Sequence, residues 1–156
     1  MEELDKQELF YPDLQIKIGT YIFTEGVSLE IHSDKNKPCD WGKVRFTKEY
    51  QPKITLQELS DVVICLGYDG TLQEVFTGTL AKEYDGCGIN EILFKDYMYK
   101  LQNTYLQTCF KECTPQDIIR EGLATAGIKT AHLSQQTYAA KKLFPVYSKS
   151  IEQLLQ

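Results

Sequence analysis

The sequence predicts an α+β protein, with a small antiparallel β-barrel or sandwich over residues 1–95 followed by a small α/β subdomain over residues 96–156. Three observations lead there. Apolar residues alternate with period two through the first half, as half-buried strands require. Asp-Gly pairs at 69–70 and 85–86 sit between apolar runs, where hairpin turns are expected. Beyond Phe94 the apolar spacing becomes helical, and helix caps stand in front of the apolar stripes. With 156 residues, 42% hydrophobic and 25% charged, the chain has the length and composition to bury a core.

The elements follow in order. In LQIKIG the apolar set is Leu14, Ile16 and Ile18, with Gln15 and Lys17 between; in GVSLEIH it is Val27, Leu29 and Ile31 against Ser28, Glu30 and His32. WGKVRFTKEY repeats the pattern, with Val44 and Phe46 inward and Lys43 and Arg45 outward, and the polar SDKNKPCD at 33–40 reads as a loop.

DVVICLGYDGTLQEVFTGTL reads as a hairpin about a type I′ turn at Asp69-Gly70. A two-residue turn pairs Tyr68 with Thr71, Leu66 with Gln73, Ile64 with Val75 and Val62 with Thr77. On the other face stand Val63 with Phe76, Cys65 with Glu74 and Gly67 with Leu72. One face then carries Val62, Ile64, Leu66 and Val75, the other Val63, Cys65, Leu72 and Phe76. Each large side chain left wet forgoes about 1.5–3 kcal/mol, so both faces call for cover, either by a helix of the same chain or by another subunit. After the second Asp-Gly signal a further strand is expected from Ile89 to Phe94.

In the second half, Asp96 is a candidate N-cap for a short helix bearing Tyr97, Met98 and Leu101. TYLQTCF reads as a return to strand. TPQDIIREGLATAGI has Thr114 as N-cap, Pro115 at the first helical position, Asp117 completing a capping-box pair and Gly127 as terminator. Its stripe is Ile118, Ile119, Leu123 and Ala126. IKTAHL reads as a strand, and SIEQLL as the start of a helix capped by Ser150 and Gln153.

Composition also excludes function classes. A net charge of −5 without a Lys/Arg cluster lacks the footprint of a nucleic-acid or anionic-membrane binder. No apolar run reaches the roughly 20 residues of a membrane span, and the acidic MEELDKQELF is unlike a secretory signal, so synthesis and folding in the cytoplasm are expected. The five cysteines, odd in number and irregularly spaced, read as reduced thiols. Cys109 and Cys113 fall short of a structural zinc site, since His32 and His132 lie far off in sequence; no metal or cofactor is expected.

The phosphate-binding glycine loops, the G-x-S-x-G elbow and the H-E-x-x-H helix are absent. Asp69 and Asp85 suit turns better than acid/base chemistry. Cys109 with His132 carries no nucleophile signature, Trp41 reads as a core or interface anchor, and Asp96 and Asp117 as caps. No enzymatic activity is expected.

The order of these pieces resembles the phage tail and baseplate hub proteins of the late control protein D family, related to the N-terminal part of spike proteins of contractile injection systems. The resemblance runs from about Leu14 to the end. It rests on the early strands, the hairpin, INEILFKDYMYKL and above all TPQDIIREGLATAGI, similar to the family's T/S-x-x-D-I-I helix ending in A-G-I or A-G-L. It implies a tail-tube-like barrel and a structural role: a ring-forming homo-oligomer, trimer or hexamer, adapting the tail tube protein to the central spike and other baseplate proteins. The implied particle is a virion tail or injection device, with no nucleic acid binding by this domain and no membrane insertion. Family members are considerably longer, and the region matching SIEQLL continues there into further strands and a second barrel. The sequence thus reads as a truncated chain, a split hub, or a one-barrel unit assembling in six copies.

The residues assigned to structure and assembly are Val63, Cys65, Tyr68, Asp69, Gly70, Leu72, Phe76, Asp96, Thr114 and Asp117. A second reading is a small β-barrel module binding a saccharide or peptide through Trp41 and the ten tyrosines.

Overall fold

A computed structural model describes residues 12–86, 88–129, 135, 136, 138–151 and 153. The chain is α+β and divides into two compact units, one of residues 1–32 and 41–94, the other of residues 33–40 and 95–156.

The first unit contains a seven-stranded sheet. Its strands are β1 (Pro12–Ile18), β2 (Tyr21–Phe23), β3 (Val27–His32), β4 (Trp41–Phe46), β5 (Asp61–Tyr68), β6 (Thr71–Leu80) and β7 (Glu91–Lys95). They lie in the order β2-β1-β5-β6-β7-β4-β3. Every pairing with a described register is antiparallel, including β1 with β5 and β3 with β4. Period-two alternation sets the buried face: Ile16, Ile18, Val44, Val62, Ile64, Leu80, Ile92 and Phe94 are fully buried, while Lys17 and Arg45 point to solvent. The sheet curls, and Phe23 on edge strand β2 meets Phe46 on β4 edge to face, ring centroids 5.1 Å apart. Among the described residues the outer strands β2 and β3 are not joined to each other, so the sheet is not a closed barrel.

The hairpin corrects one expectation. Asp69 and Gly70 take φ of 52° and 79°, as the type I′ turn needs. Tyr68↔Thr71, Gly67↔Leu72, Leu66↔Gln73 and Cys65↔Glu74 pair as a two-residue turn dictates. The register then shifts, giving Ile64↔Phe76, Val63↔Thr77 and Val62↔Gly78 in place of Ile64 with Val75, Val63 with Phe76 and Val62 with Thr77. Val75 is the extra residue of a β-bulge, which moves every later side chain of β6 to the opposite face. The reason is packing. Phe76 comes onto the side of Val62 and Ile64, where its ring meets that of Phe94 at 4.9 Å and only 9% of it stays exposed. The smaller Val75 is left 48% exposed instead. Leu66, expected in the buried set, lies beyond the core near the turn and is also exposed.

The second unit pairs β8 (Tyr105–Cys113) antiparallel with β9 (Lys141–Ser150) and adds helices α1 (Tyr97–Asn103) and α2 (Pro115–Thr125). Asp96 caps α1 by accepting the Met98 amide at 2.9 Å. Thr114 and Asp117 form a reciprocal capping box at the start of α2, the Thr114 amide donating to Asp117 Oδ2 at 2.9 Å and the Asp117 amide to Thr114 Oγ1 at 3.3 Å. The helix ends in a Schellman motif. Gly127 has φ of 67°, the Ile128 amide donates to the Leu123 carbonyl and the Gly127 amide to the Ala124 carbonyl.

Leu101, Leu106, Ala126, Val146 and Ile151 form this unit's core, with Leu123, Phe110 and Phe144 packed around it; Ile118 and Ile119 of the expected stripe are half-buried. Gly122 lets the helix approach Ile151 closely. Of IKTAHL, Ile128 and Lys129 belong to no strand and the rest lies outside the described residues. Ser150 and Gln153 make the expected capping pair, with both bonds at 3.3 Å, whereas Leu154 and Leu155 lie outside the described residues.

Candidate assembly surface

The end of the β5–β6 hairpin projects past the buried layer of the first unit. Here β1 runs beside β5, with Pro12 opposite Tyr68, Asp13 opposite Gly67 and Leu14 opposite Leu66. The turn is tied down by Asp13, whose Oδ2 accepts the Gly70 amide at 2.6 Å. Because the core ends at Ile64 and Phe76, the side chains beyond lose their cover: Leu66, Leu72 and Val75 are exposed, and Tyr68 is 57% exposed. A groove of about 270 Å³ runs alongside, lined by Pro12, Leu14, Thr24 and Leu72 together with Asp13 and Gly70.

The tip is acidic as well as apolar. Asp13, Asp69 and Glu74 stand on it, and neither 12–16 nor 64–76 contains a lysine or arginine. Isolated exposed apolar residues are ordinary on a protein surface; here Leu66 and Tyr68 stand on one face of the hairpin end and Leu72 on the other, with Asp13, Asp69 and Glu74 around them, so both faces of the ribbon carry exposed apolar side chains.

The residues singled out from sequence fall into three places. Tyr68, Asp69, Gly70 and Leu72 stand together at the tip, and Val63 and Cys65 are half-buried on the outward face of β5. Phe76 belongs to the core. Asp96, Thr114 and Asp117 act in the second unit as helix caps. Asp96 does more than cap: its Oδ2 also accepts the Asp40 amide at 2.8 Å and its own amide donates to the Asp40 carbonyl, so it fastens the loop 33–40 to the start of α1. Alternation puts Leu66 and Val75 on the face of Val62 and Ile64, whereas both are exposed, and Asp13 and Glu74 carry no local motif.

Elsewhere, the polar clusters are structural in character. Trp41 stacks on His32 across the β3–β4 ladder, centroids 4.2 Å apart and planes 16° apart, which covers one face of the indole. Glu30 bridges His32 Nε2 at 2.5 Å and Lys43 Nζ at 3.0 Å, and hydrogen bonds from these two hold its carboxyl below the usual carboxylate range. Asp85 accepts from the Thr55 hydroxyl. Burial, reinforced by the Asp96 carboxylate that its Sγ faces at 3.1 Å, pushes the Cys39 thiol up to about 11. Cys109 is exposed, and His132 lies outside the described residues. Among the described residues no group of His, Cys, Asp and Glu side chains could hold a metal, and no helix is long and apolar enough to cross a membrane.

Comparison with solved structures gives a likeness of fold. The fold is that of a prophage tail protein. The 43 kDa tail protein of prophage MuSo2 from Shewanella oneidensis superposes with a TM-score of 0.63 over 93% of this chain, at 15% sequence identity. The chain spans about half of that protein, 47% of its length. No protein-family model matches the sequence, and no curated protein matches it either.

Proposed function

We propose that the protein is a structural component of a phage tail or of a phage-derived contractile injection particle, serving as a baseplate hub or adaptor between tail tube and central spike. The observation that carries this reading is the likeness over 93% of the chain to a prophage tail protein, which takes in both units. The acidic, apolar hairpin tip is the kind of surface that such a role needs, since a ring subunit works by contacts repeated from copy to copy. No reaction is assigned to it; the function is shape and symmetry matching, with side-chain contacts at the tip. In this reading the late control protein D family is its kin, the tube and spike proteins its partners, and the assembled tail its place of work.

The experiment is direct. Purified chain is mixed with polymerised tail tubes of the same particle and imaged by negative-stain electron microscopy. Density capping one end of the tubes, together with a ring of three or six copies in two-dimensional averages, is expected. Tubes whose ends stay bare at saturating chain would overturn the proposal.

A further inference from the structure

We infer that Asp85-Gly86 is a site of spontaneous covalent modification, where the aspartate closes on its neighbour's nitrogen to a succinimide and reopens as isoaspartate, while the fold protects Asp69-Gly70 from the same reaction. The inference stands on geometry and is independent of the tail reading. The chain carries its own control, because the tripeptide YDG occurs at 68–70 and again at 84–86. Glycine, with no Cβ, offers the least hindered amide to an approaching carboxyl in both places. Any difference in rate between them therefore comes from the structure.

The chemistry consumes and returns one water. The Gly86 nitrogen bonds to Asp85 Cγ and gives up its proton, and one carboxyl oxygen leaves as water with that proton and one from solvent. Water then adds back at either ring carbonyl. Cleavage of the Cγ–N bond restores aspartate; cleavage of the bond between nitrogen and the main-chain carbonyl carbon leaves isoaspartate, with the chain running through the former side chain. The ring contains Cα, Cβ and Cγ of the aspartate, its carbonyl carbon and the next nitrogen. Closure therefore requires Cβ to come round to that nitrogen's side of the Cα–C bond.

At 69–70 that rotation is blocked. With φ of 52° and 79° the pair forms a type I′ turn, in which the Asp69 Cβ lies nearly opposite the Gly70 nitrogen. Turning it round undoes the turn, against the Tyr68↔Thr71 and Gly67↔Leu72 pairs beside it. The Gly70 amide must also leave Asp13 Oδ2, a charge-assisted bond of 2.6 Å, before its nitrogen can attack. At 84–86 the restraints stop one residue short. Tyr84 is buried and exchanges both backbone bonds with Leu56, at 2.7 and 2.8 Å. Asp85 and Gly86 are exposed and belong to no strand, and among the described residues no hydrogen bond holds the Gly86 amide. The Asp85 carboxylate accepts the Thr55 hydroxyl at 2.9 Å, a side-chain tether that leaves the Cα–C bond untied. Space does not separate the two sites, since a Cβ on either glycine would meet nothing within 4 Å; restraint does. Conversion at 85 adds a methylene to the main chain just beyond the Leu56↔Tyr84 bridge and leaves the hairpin alone.

The test compares the full chain, incubated folded in warm neutral buffer with a thiol reductant, with the same chain unfolded in guanidinium chloride. Incubation continues until the unfolded sample carries isoaspartate at both positions. Isoaspartate is counted by enzymatic methylation of the freed carboxyl and located by fragmentation mass spectrometry. The two sites are expected to convert within about twofold of each other when unfolded, whereas in the folded chain position 85 should lead position 69 by at least about 10-fold, because closure at 69 waits on local opening of the turn. Equal conversion in the folded chain, or a lead at 69, overturns the inference. So does a folded chain in which Asp85 stays intact while the unfolded chain converts.

Discussion

Ile64 on β5 faces Phe76 on β6, and the next residue, Cys65, faces Glu74, so Val75 stands between them without a partner. Everything on the N-terminal side of that bulge follows the turn, and everything beyond it follows the core. Deleting Val75 leaves the observed partners in place, Cys65 with Glu74 and Ile64 with Phe76, and turns the bulge into a regular ladder, so Phe76 stays in the interior. Phe76→Ala, by contrast, empties the place beside Phe94 and should cost about 3–5 kcal/mol. Val75→Ala, which trims an exposed side chain and keeps the bulge, should change stability by no more than about 0.5 kcal/mol. Urea denaturation of the two substitution variants separates them; equal effects would refute the packing reason for the bulge.

The thiols should differ sharply in reactivity. Cys109 is exposed, whereas Cys39 is half-buried with its thiol raised to about 11 by burial and by Asp96. Alkylation at pH 8 followed by peptide mass spectrometry should modify Cys109 well before Cys39, since the thiolate is the reacting form. Asp96→Asn removes the neighbouring negative charge and should speed the alkylation of Cys39; unchanged kinetics would show that Asp96 does not govern the thiol.

The capping box makes α2 sensitive to acid. Hydrogen bonds from the Thr114 side chain and backbone hold the Asp117 carboxyl below its ordinary range. A carboxyl lowered in the folded state binds its proton less readily there than in the unfolded chain. Its contribution is therefore present above about pH 4 and is lost as pH falls through the lowered value. Thr114→Ala removes the partner and should cost about 1 kcal/mol at neutral pH. The difference in midpoint between wild type and variant, measured by circular dichroism, should shrink as the pH is taken down to about 2.

Gly122 is a place where helix propensity and packing pull in opposite directions. Replacing a mid-helix glycine by alanine ordinarily gains up to about 1 kcal/mol. Here a Cβ would stand 2.9 Å from Ile151 Cγ2, a branched methyl fully buried in the second core. Overpacking of that kind costs about 1–3 kcal/mol, so Gly122→Ala should be destabilising. A rise in urea midpoint would show that Ile151 yields freely.

Local rules made much of the fold legible. Alternation found β1, β3 and β4 because each buries one side, and the caps at Asp96, Thr114 and Asp117 were readable because a cap is settled within three residues. The bulge was not readable, since its reason is the contact between Phe76 and Phe94, made far along the chain. Strand β9 was missed for a similar cause. KKLFPVYSKS carries Pro145 and lysines instead of a clean alternation, and it becomes a strand by pairing with β8 and burying Val146. The joining of loop 33–40 to Asp96 spans 56 residues and leaves no trace in local composition. The exposed hairpin end was half legible: the turn marked its apex, but how far the hairpin outruns the core is decided by where the other strands end.

The edge-to-face contact of Phe23 with Phe46 has a mechanical consequence. Among the described residues no ladder joins β2 to β3, so the curled sheet meets itself there through side chains and the short link 24–26 instead of through a row of backbone hydrogen bonds. Rings slide past one another more cheaply than a row of amides unzips, so that line is where the sheet should part first under load.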